Sequence, residues 1–141
     1  MNLEDITIPP PEIPTEKWQL GSSITQEIKE QSIVLIVCPD YRGGEFSVQP
    51  NTEDFRTYLY GLSKADWQIP IVDLGDLKIG KTLEDTRFAV EELISYCLYQ
   101  KAIPVLIGGS LDLVKPQIFS LKFHHKNFEW SHIGAQIILS E

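Results

Sequence analysis

The sequence predicts an α/β fold with a three-layer α/β/α arrangement around a parallel sheet of three to four strands. Three short runs rich in Ile and Val alternate with segments whose apolar residues recur at helical spacing. The short runs are apolar at almost every position, which is typical of strands buried on both faces of a parallel sheet. This alternation indicates βαβ units with right-handed crossovers.

Length, charge and cysteine content narrow the class of protein. The 141 residues suffice for about one domain with a single core. A formal net charge of −8 argues against nucleic acid and anionic membranes as partners, because both bind basic patches. No apolar run approaches the roughly 20 residues of a membrane span, and the acidic, proline-containing N-terminus is unlike a signal peptide. We expect a cytoplasmic protein in which Cys38 and Cys97 are buried thiols.

The chain is expected to consist of an irregular arm, residues 1–31, and an α/β domain, residues 32–141. Four prolines near the N-terminus forbid a continuous helix in the arm and favour extended backbone. We expect Trp18 and Leu20 to anchor the arm on the domain.

The first βα unit is predicted to begin with a strand over Ser32–Cys38. Thr52 is the expected N-cap of the following helix, and Gly61 lies near its end. The residues predicted to share the apolar face of this helix are Phe55, Leu59 and Leu62.

The second unit is predicted to begin with a strand over Ile69–Leu74, after which Gly75 and Asp76 follow as a loop. Thr82 is the expected cap of the next helix, because acidic residues favourable in a first helical turn follow it. Its predicted apolar stripe comprises Ala89, Val90, Leu93, Cys97 and Leu98.

The third strand is predicted over Ile103–Ile107, and Asp112 is the expected cap of the last helix. Ligands of open α/β sheets bind beyond the carboxyl ends of the strands. The candidate pocket residues are therefore Asp40, Gly108, Gly109, Ser110 and Asp112. The glycine pair is a weak phosphate-loop signal, because the third glycine of a dinucleotide fingerprint and the Lys-Ser/Thr of a Walker loop are missing.

In their order and spacing, several of these segments resemble the N-terminal half of the ureohydrolase superfamily, which includes arginase, agmatinase and formimidoylglutamase. The resemblance covers roughly residues 20–121. It depends on the three strands, on the first helix and on the strand end at Ile71–Asp76. The segments Thr82–Thr86 and Gly108–Leu113 are most similar to the formimidoylglutamase-like branch.

The resemblance implies hydrolysis of linear amidine or guanidino groups by a hydroxide held between two manganese ions. The first metal ligand of the family is the histidine of a Gly-Gly-Asp-His-Ser motif after the third strand. Leu111 occupies that position here, and leucine has no lone pair to donate. We therefore expect no cofactor, although the family uses manganese.

A second family motif, Asp-Ala-His-x-Asp, aligns in one of two ways. In the first alignment, residues 132–138 match it, and Gly134, Gln136 and Ile138 stand at the three ligand positions. In the second, Asn127–Leu139 corresponds to a later family strand and the motif is deleted. Both alignments leave no metal site.

Other polar residues have plainer interpretations. The adjacent His124 and His125 point about 100° apart on a helix and are expected at its solvated C-terminal end. His132 is expected to be structural. Asp73 and Asp76 could be site carboxylates, but turn formation and helix capping are the favoured roles.

Three hypotheses for function follow. The first is a degenerate, metal-free ureohydrolase-like domain that acts in binding or assembly. The second is part of an amidine hydrolase whose other half is absent here, and the third is a small α/β ligand-binding module. The family strand order, second, first, third, would leave the third strand with at most Phe128–Leu139 beside it. We therefore expect self-association, or a partner that covers the sheet edge.

Overall fold

The computed structural model describes residues 2–44, 52–125, 127–129 and 131. It contains one four-stranded sheet with helices on both faces. The strands are β1 (Thr7–Ile8), β2 (Ile33–Val37), β3 (Ile71–Leu77) and β4 (Ile103–Ile107). The α-helices are α1 (Leu3–Ile6), α2 (Thr52–Gly61), α3 (Leu83–Tyr99) and α4 (Val114–His124), and 3₁₀ helices cover Leu20–Ser23 and Leu111–Leu113.

The central strand of the sheet is β2, which pairs in parallel with β3 on one side and with β4 on the other. The three parallel strands therefore follow the order second, first, third, as the resemblance implies. The fourth strand comes from the N-terminal arm, because β1 pairs antiparallel with the outer side of β3. The sheet is thus parallel with one short antiparallel edge.

Two hydrophobic clusters lie on opposite faces of this sheet. On one face, Val34 and Ile36 of β2 pack with Val90 and Leu93 of α3. On the other face, Leu35 packs with apolar residues of α2, β3 and the first 3₁₀ helix. Right-handed crossovers explain the two layers, because the chain steps from β2 to β3 and then returns past β2 to β4. The predicted three-layer α/β/α arrangement is confirmed.

Helix α3 matches its sequence pattern. The Thr82 hydroxyl accepts a hydrogen bond from the Asp85 backbone N–H (3.1 Å), and the Asp85 carboxylate accepts one from the Thr82 N–H (2.8 Å). This reciprocal capping confirms the predicted helix start. The predicted apolar stripe faces the sheet, and both Cys38 and Cys97 are fully buried. Burial raises the pKa of their thiols to about 11 and about 12, respectively.

The N-terminal arm attaches differently from the expectation. Leu20 is buried, but Trp18 is 58% exposed, so the prediction that Trp18 anchors the arm was wrong. The start of the arm is held instead by hydrogen bonds from Lys78 to its backbone carbonyls. The Lys78 ammonium donates to the Glu4 carbonyl (2.7 Å), and the Lys78 backbone N–H donates to the Ile6 carbonyl (2.8 Å).

Pairing with the arm also extends β3 beyond its predicted end at Leu74 to Leu77. Gly75 lies inside this strand with φ +85°, a backbone conformation that residues with a Cβ rarely adopt. A Cβ on Gly75 would overlap the carbonyl oxygen of Ile8. The glycine therefore allows the arm to cross the strand at this point.

Helix α2 buries charge where the sequence predicted an apolar face. Leu59 packs inward, but Leu62 is exposed, and the most deeply buried described residue of α2 is Arg56. Arg56 is drawn inward by Asp73 of β3, and the side chains of both residues are only 1% exposed. Thr52, the predicted N-cap, is the first residue of α2, and its side chain lies outside the described part of the chain.

Removing one partner of the Arg56–Asp73 ion pair is expected to destabilise the fold strongly. Arg56→Met should lower the free energy of unfolding by about 3–5 kcal/mol, because it leaves a buried carboxylate without its cation. The double variant Arg56→Met/Asp73→Leu should recover much of that loss. Urea denaturation measures both effects. The matched control is Lys101→Ala, which breaks the exposed Lys101–Glu30 pair and should cost less than about 1 kcal/mol.

Gly75→Ala is expected to release the arm. The added methyl group would collide with the Ile8 carbonyl and strain a positive φ angle. Trypsin should then cleave after Lys17 faster than in the wild type. Gly61→Ala serves as the control, since the nearest atom to its Cβ lies 3.9 Å away. Equal cleavage rates in the two variants would contradict this account.

Candidate functional site

The carboxyl ends of β2 and β4 form the point where the chain turns toward opposite faces of the sheet, which is where a ligand crevice is expected. The loop after β2 and the loop after β4 meet there. The Ser110 backbone N–H donates to the Asp40 carbonyl (3.0 Å), and the Cys38 N–H donates to the Ile107 carbonyl (2.9 Å). The structure thus brings all five candidate pocket residues into two adjoining loops.

The two glycines of this site serve the packing of the loops. Gly108 and Gly109 have φ angles of +79° and +80°, which favour glycine. A Cβ on Gly108 would lie 2.6 Å from the Tyr41 hydroxyl oxygen, and one on Gly109 would overlap the Leu113 side chain. Side chains of the same chain therefore already fill the space beside each glycine.

Asp40 is held by an arginine two residues away. Its side chain is buried, and its two carboxylate oxygens accept hydrogen bonds from Arg42 Nε (2.9 Å) and Nη2 (2.6 Å). Chiefly through these bonds, Arg42 lowers the pKa of Asp40 to about 2, although burial acts in the opposite direction.

Arg42 also ties the β2 loop to the start of α3. Its guanidinium donates to the backbone carbonyls of Gly80 (2.9 Å) and Lys81 (3.1 Å) and to that of the capping residue Thr82 (3.2 Å). Asp40 therefore orients the Arg42 guanidinium, which links the loop after β2 to the start of α3.

Asp112 occupies the opposite side of the same site, and its predicted role as a helix cap was wrong. Helix α4 begins at Val114, so Asp112 lies in the preceding 3₁₀ helix. Its carboxylate accepts hydrogen bonds from the Ser110 hydroxyl and from Arg87 Nε (2.9 Å) of α3. Gly43 of the β2 loop packs directly on this carboxylate, because a Cβ there would overlap it. Arg87, which sequence reasoning missed, thus holds the β4 loop on α3.

These residues do not fit a dimanganese centre. Leu111, at the family's first ligand position, is 38% exposed and has no donor atom. The carboxylates of Asp40 and Asp112 are already bound by arginines, which compete with any metal for the same oxygens. Within the described residues, no three His, Cys, Asp or Glu side chains lie together in a metal-binding arrangement.

The histidines of the chain are distributed as follows. His124 is the last residue of α4 and His125 its C-cap, so the predicted position at a helix end is confirmed. The His124 ring packs edge-on against the Phe123 ring. His132, together with the aligned ligand positions Gly134, Gln136 and Ile138, lies outside the described residues.

A second polar cluster lies between α2 and the carboxyl half of β3. Arg56 binds Asp73 through Nε (2.8 Å) and Asp76 through Nη1 (2.6 Å), and the Tyr60 hydroxyl donates to Asp73 (2.9 Å). Asp73 also accepts from the Gly75 backbone N–H (2.8 Å), but both residues lie inside β3, so the turn predicted at this position was wrong. Burial, followed by the charge of Asp73, raises the pKa of Tyr60.

The carboxylates of Asp73 and Asp76 both bind Arg56 and so join α2 to β3. The sequence signal that could have revealed the cluster is the spacing of Arg56 and Tyr60, which lie four residues apart on one face of α2.

Comparison with known proteins supports the fold assignment. No protein-family model matches the sequence, and no curated protein matches it. The structure is similar to the crystal structure of formimidoylglutamase from Bacillus subtilis subsp. subtilis str. 168, with a TM-score of 0.66 and 13% sequence identity. The match covers 81% of this chain and 41% of that one, so the chain spans about two fifths of the enzyme's length. The partial ureohydrolase-like fold is thereby confirmed.

The described helices include none that is both long and apolar enough to span a membrane.

The Asp40–Arg42 pair predicts a specific acid dependence of stability. The pKa of Asp40 is about 2 in the folded protein and about 3.9 in an unfolded chain, so its contribution is present above pH 4. That contribution is lost as the pH falls from about 4 to about 2. Asp40→Asn should therefore be less stable than the wild type at pH 7, and the difference should disappear near pH 2.

Urea unfolding at several pH values measures this difference. The control is Asp66→Asn, since Asp66 is exposed and its substitution should change stability little at either pH. A stability gap between Asp40→Asn and the wild type that stays constant down to pH 2 would contradict the assignment.

Proposed function

We propose that this chain is a cytoplasmic, metal-free ureohydrolase-like domain that acts in binding or assembly. The observation that carries the proposal is the state of the two carboxylates at the carboxyl ends of β2 and β4. Asp40 is paired with Arg42 and Asp112 with Arg87, so arginines of the same chain occupy the oxygens that a metal would need. Leu111, which directly precedes Asp112, occupies the position where the resembling family has a histidine.

The chemistry of amidine hydrolysis supports the same conclusion. An amidine carbon is attacked at neutral pH only by an activated oxygen nucleophile, and free water has a pKa of about 15.7. Arg42 stabilises the charged carboxylate of Asp40 and lowers its pKa, which makes Asp40 a weak general base. The carboxylate oxygens of Asp112 already accept hydrogen bonds from Arg87 and from the Ser110 hydroxyl. No described group at this site is therefore suited to deprotonate water.

The proposal predicts that the purified chain binds no manganese specifically. Calorimetric titration with manganese should give no saturable binding at micromolar concentrations, since one ligand position is leucine and the two carboxylates are held by arginines. Assays of urea or ammonia release from arginine, agmatine and formimidoylglutamate should stay at background with manganese added. One or more tightly bound equivalents together with manganese-dependent turnover would overturn the proposal.

A second function is favoured by one observation. The chain spans about two fifths of the formimidoylglutamase that it resembles, which is compatible with a role as one part of a larger amidine hydrolase. This alternative predicts manganese-stimulated hydrolysis when the chain is assayed together with the proteins it copurifies with. Loss of that hydrolysis in Asp112→Ala would assign the activity to this site.

An assembly role needs an exposed apolar surface, and the α4 side of the molecule has one. Phe119 and Phe123 lie four residues apart on α4, and Phe123 is 85% exposed. Phe119 is 62% exposed. Ile103 and Val105 of β4 are exposed as well, but they lie on the opposite face of the sheet, together with Leu35. Because single exposed apolar residues are common but neighbouring ones mark interaction sites, we assign the expected partner, a second copy or another protein, to the helix face that carries Phe119 and Phe123.

A further inference from the structure

The outer edge of β4, which faces away from β2, has few backbone N–H groups that can donate a hydrogen bond. Toward β2, the Ile103 N–H donates to the Ser32 carbonyl (2.8 Å), and the Ile107 carbonyl accepts from the Cys38 N–H (2.9 Å). Because the main-chain groups of successive residues in a strand point to opposite sides, those of Pro104 and Leu106 point away from β2. Proline has no N–H. The Leu106 N–H is therefore the single donor of this edge.

A groove of about 480 Å³ runs beside the edge, between β4, α3 and α4. It is lined mainly by apolar residues, among them Ile94, Leu98 and Leu121. His125, the residue at which α4 ends, also lines it, together with Lys101 just before β4. The chain therefore leaves α4 beside the beginning of β4.

The position of α4 determines where a following parallel strand would lie. Helix α4 packs on α3, on the same face of the sheet, and the Ser120 hydroxyl donates to the Glu91 carbonyl of α3 (2.9 Å). The crossover from β3 over α3 to β4 proceeds across the sheet in one direction. A second right-handed crossover on the same face must continue in that direction, which places the next strand on the outer edge of β4.

We propose that the chain's own C-terminal segment, residues 132–139, docks on this edge as a parallel strand. The segment lies outside the described residues, and its sequence and length support the proposal. It contains Ile133 and the run Ile137-Ile138-Leu139, an apolar pattern typical of a buried parallel strand. Sixteen residues follow His125, and eight of them in extended form reach roughly 26 Å, more than the roughly 16 Å of a five-residue strand.

This docking goes beyond the proposed function and is independent of the metal question. An open strand edge is a template for association with other chains. The segment would close that edge within one molecule, so that assembly would use the side chains on the outer face of α4. Exchange of strands between copies, the competing arrangement, would use the same contacts but would depend on protein concentration.

The Leu106 amide is a single-residue reporter of this docking. Hydrogen exchange measured by NMR on the full chain should show Leu106 protected, and a variant that ends at Ser131 should exchange there at least tenfold faster. The internal reference is Val105, whose main-chain groups point toward β2. Its exchange rate should change far less.

Two adjacent proline variants separate strand pairing from general destabilisation. Since successive N–H groups of a strand point to opposite sides, only one of Ile137→Pro and Ile138→Pro should remove a hydrogen bond to β4 and expose Leu106. Asn127→Pro, placed before the segment, is the control and should leave Leu106 protected. Fast Leu106 exchange in the full chain, equal effects of the two prolines, or protection that vanishes on dilution would each overturn the proposal.

Discussion

The position of β2 between β3 and β4 is the constraint on which the rest of the structure depends. A chain that pairs its second strand on one side of the first and its third strand on the other must reverse its direction across the sheet. Because crossovers are right-handed, this reversal places α2 on one face and α3 on the other. It also brings together the loops after β2 and β4, from which the chain departs toward opposite faces, and the candidate site lies in these loops.

Arginine–carboxylate pairs then determine which polar groups remain available at this site. Carboxylates at strand ends are partly desolvated and need a cation or hydrogen-bond donors. In a dimetal enzyme the metals can meet that need, and here Arg42 and Arg87 meet it for Asp40 and Asp112. The same rule operates on the other face, where Arg56 pairs with Asp73. In each case, the pair also joins separate segments, so the carboxylates contribute to the tertiary structure.

The features predictable from the sequence were those set by local patterns. The bounds of β4 and the capping of α3 by Thr82 were correct, because each depends on a few adjacent residues. The errors involve partners distant in sequence. The inward turn of Arg56 depends on Asp73, and the failure of Asp112 to cap α4 depends on Arg87, 25 positions away. The extension of β3 to Leu77 likewise depends on pairing with the arm and with Val37 of β2, which the pattern of β3 alone does not show.

The glycine pair after β4 shows that the fold of the site and its chemistry depend on different residues. Gly108 and Gly109 adopt positive φ angles and make room for Tyr41 and Leu113, so a backbone and packing requirement fixes them. A metal ligand at position 111 is a different requirement, because it concerns only the donor atom of one partly exposed side chain. A leucine at that position removes a donor atom. It is compatible with the observed backbone path of the loop after β4 and with the two arginine–carboxylate pairs. A similarity of fold at 13% identity therefore leaves the donor atoms of this site undetermined, and Leu111 provides none.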